Sequence, residues 1–290
     1  MEWSIMEKLT RVELTNLSKV LYPEMHITKA QVIEYYIRIA PRMLSFLANR
    51  PVVLTRFPDG VGKEGFYEKD MPFGAPSWVR RFRTYSEAAQ REISYVVCDD
   101  LDTLIWLANL AALELHVTLS RVDRIEKPDL VLFDVDPRQP ASMNDVVDVV
   151  WLLNEKLQAL GLKSYVKTSG KKGLHVVVPI ASDYSFGQTR EFVHQIAKYL
   201  SSESSIVVSE FSKVKEPGTV YVDYTQNSYG RTMISPYSLR ATTQATVSMP
   251  LSWADVKKGL KPEQFTLFNA VKFSDNPWEG LFESKQKLEV

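Results

Sequence analysis

Two aspartates, Asp134 and Asp136, directly follow an apolar run, Leu130-Val131-Leu132-Phe133. Residues i and i+2 of a strand point to the same face, so both carboxylates would project together. Two such charges raise each other's pKa, and a divalent cation that prefers oxygen ligands would relieve the repulsion. A bare Asp-x-Asp pattern is more often a surface turn in which the second aspartate caps the next segment. The apolar run favours a carboxylate pair at the end of a central strand.

A third aspartate, Asp223, lies within the aromatic and β-branched stretch Val220-Tyr221-Val222-Asp223-Tyr224. Aspartate is depleted in strands, and a buried one must be paired or metal-bound. Beside the first two carboxylates it would complete a two-metal site for phosphoryl transfer. The alternative is an ion pair with Arg231 or Arg240.

A polar loop, Thr168-Ser169-Gly170-Lys171-Lys172-Gly173-Leu174-His175, joins two predicted strands. Its glycines permit backbone conformations in which successive N–H groups face an anion. A lysine adds a point charge for phosphate, and the serine and histidine add donors. The spacing is not that of a Walker A loop. An ordinary hairpin turn followed by a strand histidine explains these residues equally well.

The surrounding pattern predicts the elements that would position these groups. We expect helices over 28–48, 102–117, 143–160 and 187–203, and a helical C-terminal third. The helix over 143–160 should end at Gly161, since glycine readily adopts the left-handed conformation just past a helix end. We expect strands over 51–55, 65–69, 78–84, 93–98, 129–136, 163–168, 173–179, 219–224 and 231–235. Helices and strands do not alternate as in a parallel sheet. The prediction is an α+β fold with mainly antiparallel sheets flanked by helices.

Composition is that of an ordinary soluble globular chain, with 290 residues, 45% hydrophobic and 24% charged. The single cysteine, Cys98, excludes an intramolecular disulfide and fits a reducing compartment. No apolar run approaches the ~20 residues that span a bilayer, and no signal peptide is recognisable. These features predict a cytoplasmic protein. We see no linker and expect a single catalytic domain over 1–290, with 1–50 as an N-terminal segment and 51–290 as the core.

Net charge is zero, because 35 basic residues balance 35 acidic ones. This argues weakly against a surface covered in phosphate-binding charge. Basic residues nevertheless cluster at Arg80-Arg81 with Arg83 and at Lys167 with Lys171-Lys172. Either cluster could be a solvated face, which is the commoner meaning of such a run.

Taken in order, FDVDP, TSGKKGLH and VDYTQN…SPYSLRA resemble motifs of the archaeo-eukaryotic primase superfamily. The chain is most similar to the polymerase domain of bacterial ligase D and to stand-alone polymerases of non-homologous end joining. The resemblance begins at Leu14-Thr15-Asn16-Leu17-Ser18-Lys19-Val20-Leu21-Tyr22-Pro23 and runs across nearly the whole chain. It implies the primase-polymerase catalytic core and template-dependent filling of DNA ends and gaps by two-metal catalysis.

The resemblance also implies roles for single residues. Catalytic metal ligands for two Mn²⁺ or Mg²⁺ ions would be Asp134, Asp136 and Asp223. The incoming triphosphate would be held by Ser169, Lys172, His175, Arg240 and His116, although a lone histidine at a helix end is more often structural. A downstream 5′-phosphate would be bound by Lys19 and Lys29, and the template by Arg56, Phe66 and Tyr67. Without the resemblance we would interpret the lysines as solvated and Phe66-Tyr67 as strand core.

The implied partners are DNA with gaps or double-strand-break ends, nucleoside triphosphates and Ku. A separate ATP-dependent DNA ligase and a separate phosphoesterase would also be needed, since 290 residues leave no room for those domains. The resemblance further implies a preference for ribonucleotides and manganese. One stretch departs from the family pattern: relatives often carry consecutive basic residues before the third aspartate, where this chain has Glu216-Pro217 within Lys213–Gly218.

Three other functions compete. A glycosyltransferase that uses Asp-x-Asp with a nucleotide-sugar would also bind a metal ion and a diphosphate at the two aspartates. It would leave the hairpin loop and Asp223 unexplained. A non-catalytic DNA-end-binding module would use Lys19, Lys29 and the aromatic residues without forming product. A primase that starts chains de novo is a close variant of the favoured function.

Overall fold

The structure is a computed structural model and describes residues 11–86, 89–210, 216–273 and 275–288. The described residues form two compact units, each assembled from three segments of chain. Unit 1 takes its residues from Met1–Val117, Ile234–Val247 and Phe265–Ser274. Unit 2 takes its residues from Thr118–Met233, Ser248–Gln264 and Asp275–Val290.

Unit 1 is built around an antiparallel sheet. Its elements are β1 (Val20–Tyr22), β2 (Ile27–Thr28), α1 (Lys29–Leu47), β3 (Pro51–Arg56), β4 (Phe66–Glu68), β5 (Arg81–Ser86), β6 (Arg91–Val97), α2 (Leu101–Asn109) and β7 (Ala112–Thr118). The sheet has the order β7-β3-β6-β5, with β4 paired to β3 and the later strand Thr232–Ile234 beside β7, while β1 and β2 form a separate ribbon. Helix α1 begins at the capping box formed by Thr28 and Gln31, which satisfies orphan amides of its first turn.

Unit 2 holds a second sheet, mainly antiparallel, with two helices. Its elements are β8 (Leu130–Pro137), α3 (Met143–Ala159), β9 (Tyr165–Thr168), β10 (Leu174–Pro179), α4 (Phe186–Glu203), β11 (Val207–Val208), β12 (Val220–Asp223), β13 (Thr232–Ile234), which leads back into unit 1, and β14 (Pro250–Leu251). The strand order is β11-β12-β8-β10-β9-β14, and only the β11–β12 pair is parallel. Helix α3 ends before Gly161, which adopts the left-handed conformation as predicted.

The predicted α+β fold with mainly antiparallel sheets is confirmed, but two segments were predicted wrongly. The apolar stretch 102–117 is not one helix, since α2 ends at Asn109 and the chain reverses through Ala111, whose φ is 58°. The remainder forms strand β7, so His116 lies in a strand and not at a helix end. A buried strand and a buried helix are both continuously apolar, and this run has no glycine or proline to separate them.

The C-terminal third was also predicted wrongly as helical. After β13 it contains β14 and single turns of 3₁₀ helix at Trp253–Asp255, Pro262–Gln264, Ala270–Lys272 and Leu281–Glu283. Prolines at 236, 250, 262 and 277 interrupt the stretch and prevent long helices. Across the described ranges, every helix is too short or too polar to cross a bilayer.

Candidate active site

Three adjacent strands of unit 2 bring the central groups together. Asp134 on β8 is the register partner of His175 on β10 and of Asp223 on β12. Register partners of an antiparallel pair project to the same face with Cβ atoms ~5 Å apart. Asp136 lies two residues further along β8, so it shares that face. The three predicted carboxylates and the histidine therefore occupy one patch of the sheet.

The opposite face of β8 anchors the strand. Phe133 points away from the aspartates and packs against Phe192 of α4, with ring centroids 6.4 Å apart. The fully buried Asn227, in the 3₁₀ turn after β12, bonds to both backbone groups of Leu132. This contact continues the pairing of β8 beyond the end of β12. The apolar run thus fixes the position from which Asp134 and Asp136 emerge.

His175 contacts the first aspartate directly. Its Nε2 lies 3.2 Å from Asp134 Oδ1, and both side chains are largely buried. On the other side His175 is the register partner of Lys167 on β9. Lys167 is fully buried, and its Nζ donates to Ser248 Oγ at 2.6 Å. One cross-strand row therefore carries Lys167, His175, Asp134 and Asp223, and Lys167 is not part of a solvated basic face.

Asp136 is electrostatically strained. Burial first, and then the charges of Asp134 and Asp223, raise its pKa to about 6 against the opposing effects of His175 and Arg138. Gly173 packs against this side chain so closely that an added Cβ would lie 2.3 Å from Asp136 Oδ1 and 2.3 Å from the Val135 carbonyl oxygen. Only a glycine fits at this position of the loop.

Asp223 is held by its own neighbours. Its Oδ1 accepts hydrogen bonds from the Thr225 hydroxyl at 2.6 Å, the Thr225 amide at 2.9 Å and the Tyr221 hydroxyl at 3.3 Å. Its Oδ2 accepts from Gln226 Nε2 at 3.3 Å. These bonds hold the carboxylate over the 3₁₀ turn that begins at Tyr224.

Within the described part of the chain, no three His, Cys, Asp or Glu side chains converge closely enough to hold a metal ion. The donor chemistry still fits a divalent cation, because Asp134 and Asp136 present oxygen ligands on one face of the sheet, where burial and then the neighbouring carboxylates raise the pKa of Asp136. The Thr225 bonds of Asp223 are both to Oδ1, whereas Oδ2 accepts from Gln226.

The loop between β9 and β10 closes on the serine. Ser169 Oγ accepts hydrogen bonds from the amides of Lys171 at 3.3 Å and Gly173 at 3.1 Å, and the Ser169 amide donates to the Gly173 carbonyl. Two amides that the sequence suggested for an anion are therefore directed to Ser169. Lys172 is exposed on this loop.

In unit 1, a buried glutamate joins two of the residues implied in nucleotide binding. Glu114 Oε1 accepts from Arg240 Nε at 3.0 Å, and its Oε2 lies 3.4 Å from His116 Nε2. Sequence reasoning missed Glu114. The Glu-x-His spacing on an alternating strand was the available signal, but the prediction of a helix over 102–117 concealed it.

The residues implied in template binding lie on β3 and β4. Phe66 and Tyr67 are 51% and 57% exposed, so they are not strand core. Tyr67 also contacts the ring of His116, edge to face, at 6.4 Å. Arg56 bonds to the Leu110 carbonyl and forms an ion pair with Glu68 at 3.0 Å.

Lys19 and Lys29 lie close together in unit 1. The Lys29 amide donates to the Lys19 carbonyl at 2.8 Å, as Lys29 begins α1. Lys29 is buried with its Nζ on the Asn109 carbonyl at 2.8 Å, while Lys19 is exposed and pairs with Asp59 at 3.0 Å. Burial, and secondly the charge of Lys19, lower the pKa of Lys29. Lys29 is therefore not the solvated lysine expected from sequence alone.

The chain has the fold of the primase-polymerase class, and its antiparallel sheet presents aspartates on β8 and β12 beside a Ser-Gly-Lys hairpin on β9–β10. The family model of the LigD primase-polymerase domain matches residues 28–278. The chain belongs to this family.

Curated relatives include the LigD proteins of Mycolicibacterium smegmatis, 34% identical over 87% of this chain, and Bacillus subtilis, 33% identical over 89%. Both are named as non-homologous end-joining proteins, and the chain spans only 33% and 41% of their respective lengths. Among solved structures, the polymerase domain of Mycobacterium tuberculosis ligase D in complex with DNA matches with a TM-score of 0.87 and 30% identity. That match covers 95% of this chain and 99% of that one.

Proposed function

We propose that this protein adds nucleotides to the 3′-hydroxyl of a DNA end or gap, directed by a template strand, during end-joining repair. The observation that carries the proposal is the row of Asp223, Asp134 and His175 on three adjacent strands. A nucleotide-sugar transferase would not require this third strand or its aspartate. Family membership supports the same conclusion.

Asp134, Asp136 and Asp223 would hold the catalytic Mn²⁺ or Mg²⁺ ions. When bound, these ions would lower the pKa of the attacking hydroxyl and stabilise charge on the transferring phosphoryl group. His175 orients Asp134 through its 3.2 Å contact. Gly173 keeps the phosphate-binding loop against Asp136, so Ser169 and Lys172 would approach the triphosphate from the same edge of the sheet.

His116 and Arg240 would also contribute to nucleotide binding, as the family resemblance implies. Phe66 and Tyr67 are exposed enough to stack on template bases, since every base offers a π-face. Lys19 and Lys29 would bind a 5′-phosphate beside the start of α1, where the helix dipole attracts an anion. Ku, a DNA ligase and a phosphoesterase are the protein activities that this function would need, and the cytoplasm is its expected location.

Primer extension on a gapped DNA tests the function. The parent should extend the primer with nucleoside triphosphates and Mn²⁺ or Mg²⁺. Asp134→Ala and Asp136→Ala should each reduce extension by at least ~1,000-fold, as expected when an interaction central to catalysis is removed (~4 kcal/mol of transition-state stabilisation). DNA binding should remain within a few-fold of the parent. Parent-like extension by either variant would refute the metal-ligand assignment.

Two substrate preferences rest on family membership. We expect ribonucleotides to be incorporated more efficiently than deoxynucleotides, and Mn²⁺ to support a higher rate than Mg²⁺. Steady-state kinetics with each nucleotide and metal combination measures both. Equal or better use of deoxynucleotides with Mg²⁺ would contradict these preferences. De novo products on unprimed single strands would instead identify a primase.

A further inference from the structure

Glu114 is a buried carboxylate in the middle of an apolar strand. It lies on β7 between Leu113 and Leu115, both fully buried, and is itself only 5% exposed. Burying a carboxylate is costly unless charged or hydrogen-bonded partners compensate it. Its side chain and that of His116 project to the same face of β7, because the two residues are separated by one position.

The two oxygens of Glu114 have different partners. Oε1 accepts from Arg240 Nε at 3.0 Å and from the Ala241 amide at 3.1 Å. Oε2 lies 3.4 Å from His116 Nε2. Glu114 therefore engages two side chains and one backbone amide. Here one group contacts both unit 1 residues proposed to bind the nucleotide.

The backbone around Arg240 is fixed by other contacts. The Arg240 carbonyl accepts from the Tyr22 hydroxyl at 3.1 Å, and the Arg240 amide donates to the Thr246 carbonyl at 2.8 Å. These bonds fix the backbone position of Arg240, but its long side chain still has several rotatable bonds. The contact of Glu114 with Nε helps to orient the guanidinium group, whose planar donors suit phosphate oxygens.

We propose that Glu114 is a positioning residue for the nucleotide triphosphate, acting through the side chains of Arg240 and His116. The proposal rests on the proposed function. It implies that Glu114 affects nucleotide affinity without touching the nucleotide. Disordering the arginine should raise the KM for the nucleotide, whereas the chemical step and the binding of DNA depend on other residues.

The test compares Glu114→Ala with Glu114→Gln in primer extension, together with equilibrium titration of a fluorescent nucleoside triphosphate in the absence of DNA. Glu114→Ala should raise the nucleotide KM at least 10-fold, with kcat and the KM for DNA within three-fold of the parent. Glu114→Gln retains an oxygen acceptor for Arg240 and Ala241, so it should restore KM to within three-fold. If Glu114→Ala does not fold, Glu114→Asp takes its place, because the shorter side chain moves the carboxylate away from Arg240. We expect Glu114→Asp to raise the nucleotide KM at least five-fold.

A double-mutant cycle separates positioning from independent effects. Glu114→Ala combined with Arg240→Ala should raise the nucleotide KM by clearly less than the product of the two single effects, because Glu114 acts in part through Arg240. Asp129→Ala is a matched control, since Asp129 accepts from Arg121 Nε at 2.8 Å in unit 2. It should leave the nucleotide KM within two-fold of the parent.

Three outcomes would overturn the proposal: a parent-like nucleotide KM in Glu114→Ala, multiplicative effects in the double variant, or an equal rise in KM in Asp129→Ala. Failure of the proposed function would give a different set of experimental results. In that case the parent itself does not extend primers, or Asp134→Ala extends them normally. The nucleotide titration still reports on Glu114 in either event.

Discussion

At the scale of single residues, Asp136 lowers the stability of the folded protein above about pH 6, because its carboxylate is buried beside other carboxylates. Its pKa is raised to about 6 by burial and by its acidic neighbours, whereas an aspartate in an unfolded chain titrates near ~4. Between about pH 4 and pH 6 the folded chain therefore binds one more proton at this site than the unfolded chain. Stability falls as pH rises through this window and stays lower above it.

Asp136→Asn should remove that cost. We expect it to raise the free energy of unfolding at pH 7 by about 2 kcal/mol and to flatten its decline between about pH 4 and pH 6. Urea unfolding at a series of pH values, with chelator present, measures both effects. An unchanged pH profile would show that Asp136 titrates normally.

Asp145 offers a control of opposite sign. Hydrogen bonds from Ser142 in the capping box of α3 lower the pKa of Asp145. Its contribution to stability is therefore present above the pKa of the unfolded chain and is lost as pH falls through the folded value. Asp145→Asn should destabilise the protein at neutral pH and have less effect in acid.

At the scale of elements, the loop of the β9–β10 hairpin packs closely against β8 at Gly173. A Cβ at this position would overlap a side-chain oxygen of Asp136 and a backbone oxygen of Val135, and the backbone cannot yield without breaking the β8–β10 pairing. The loop and the aspartates are thus one structural unit, and a change in one should be felt in the other.

Gly173→Ala should therefore impair both stability and activity. We expect a loss of at least ~2 kcal/mol in the free energy of unfolding, which is typical of overpacking, and a decrease in extension of more than ~10-fold. Thermal unfolding and primer extension measure these changes. Gly187→Ala in α4 is the matched control, because its Cβ would meet only Ser185 Oγ at 3.7 Å. Equal losses of stability and of extension in Gly173→Ala and Gly187→Ala would contradict the close packing of the loop against β8.

At the scale of the whole molecule, the balanced charge limits how the protein can bind DNA. With 35 basic and 35 acidic residues, long-range attraction is weak, and affinity must come from a few local contacts. The adjacent Lys19 and Lys29 at the start of α1 are one such place. Their combined charge, with the lowered pKa of Lys29, is better accommodated when an anion lies beside them.

Replacing both lysines, as Lys19→Ala with Lys29→Ala, should abolish the preference for 5′-phosphorylated gaps. The salt dependence of binding should also weaken, because the slope decreases by about one for each phosphate that the variant no longer neutralises. Affinities for phosphorylated and unphosphorylated gaps over a salt series provide the measurement. Lys257→Ala, which removes an exposed lysine of unit 2, should retain the preference. A double variant that still discriminates as the parent does would place the phosphate site elsewhere.

Several features could be predicted from the sequence because they depend on neighbours in the chain. The apolar run before Asp134 predicted β8, Gly161 predicted the end of α3, and the spacing of the polar loop predicted the β9–β10 hairpin. The ordered motifs identified the family, which the LigD model match confirms. The apolar run, Gly161 and the polar loop could be interpreted without the tertiary structure, because each depends on local periodicity or on backbone conformation.

Other features were decided only by tertiary structure. Whether 112–118 forms helix or strand depends on pairing with β3, since its apolar residues suit either environment. The placement of Asp223 opposite Asp134 joins residues 89 positions apart, and the contact of Glu114 with Arg240 joins residues 126 apart. The burial of Lys29 against Asn109 is another such contact. No local pattern records these pairings, because they arise when distant segments compete to bury apolar surface and satisfy each other's polar groups.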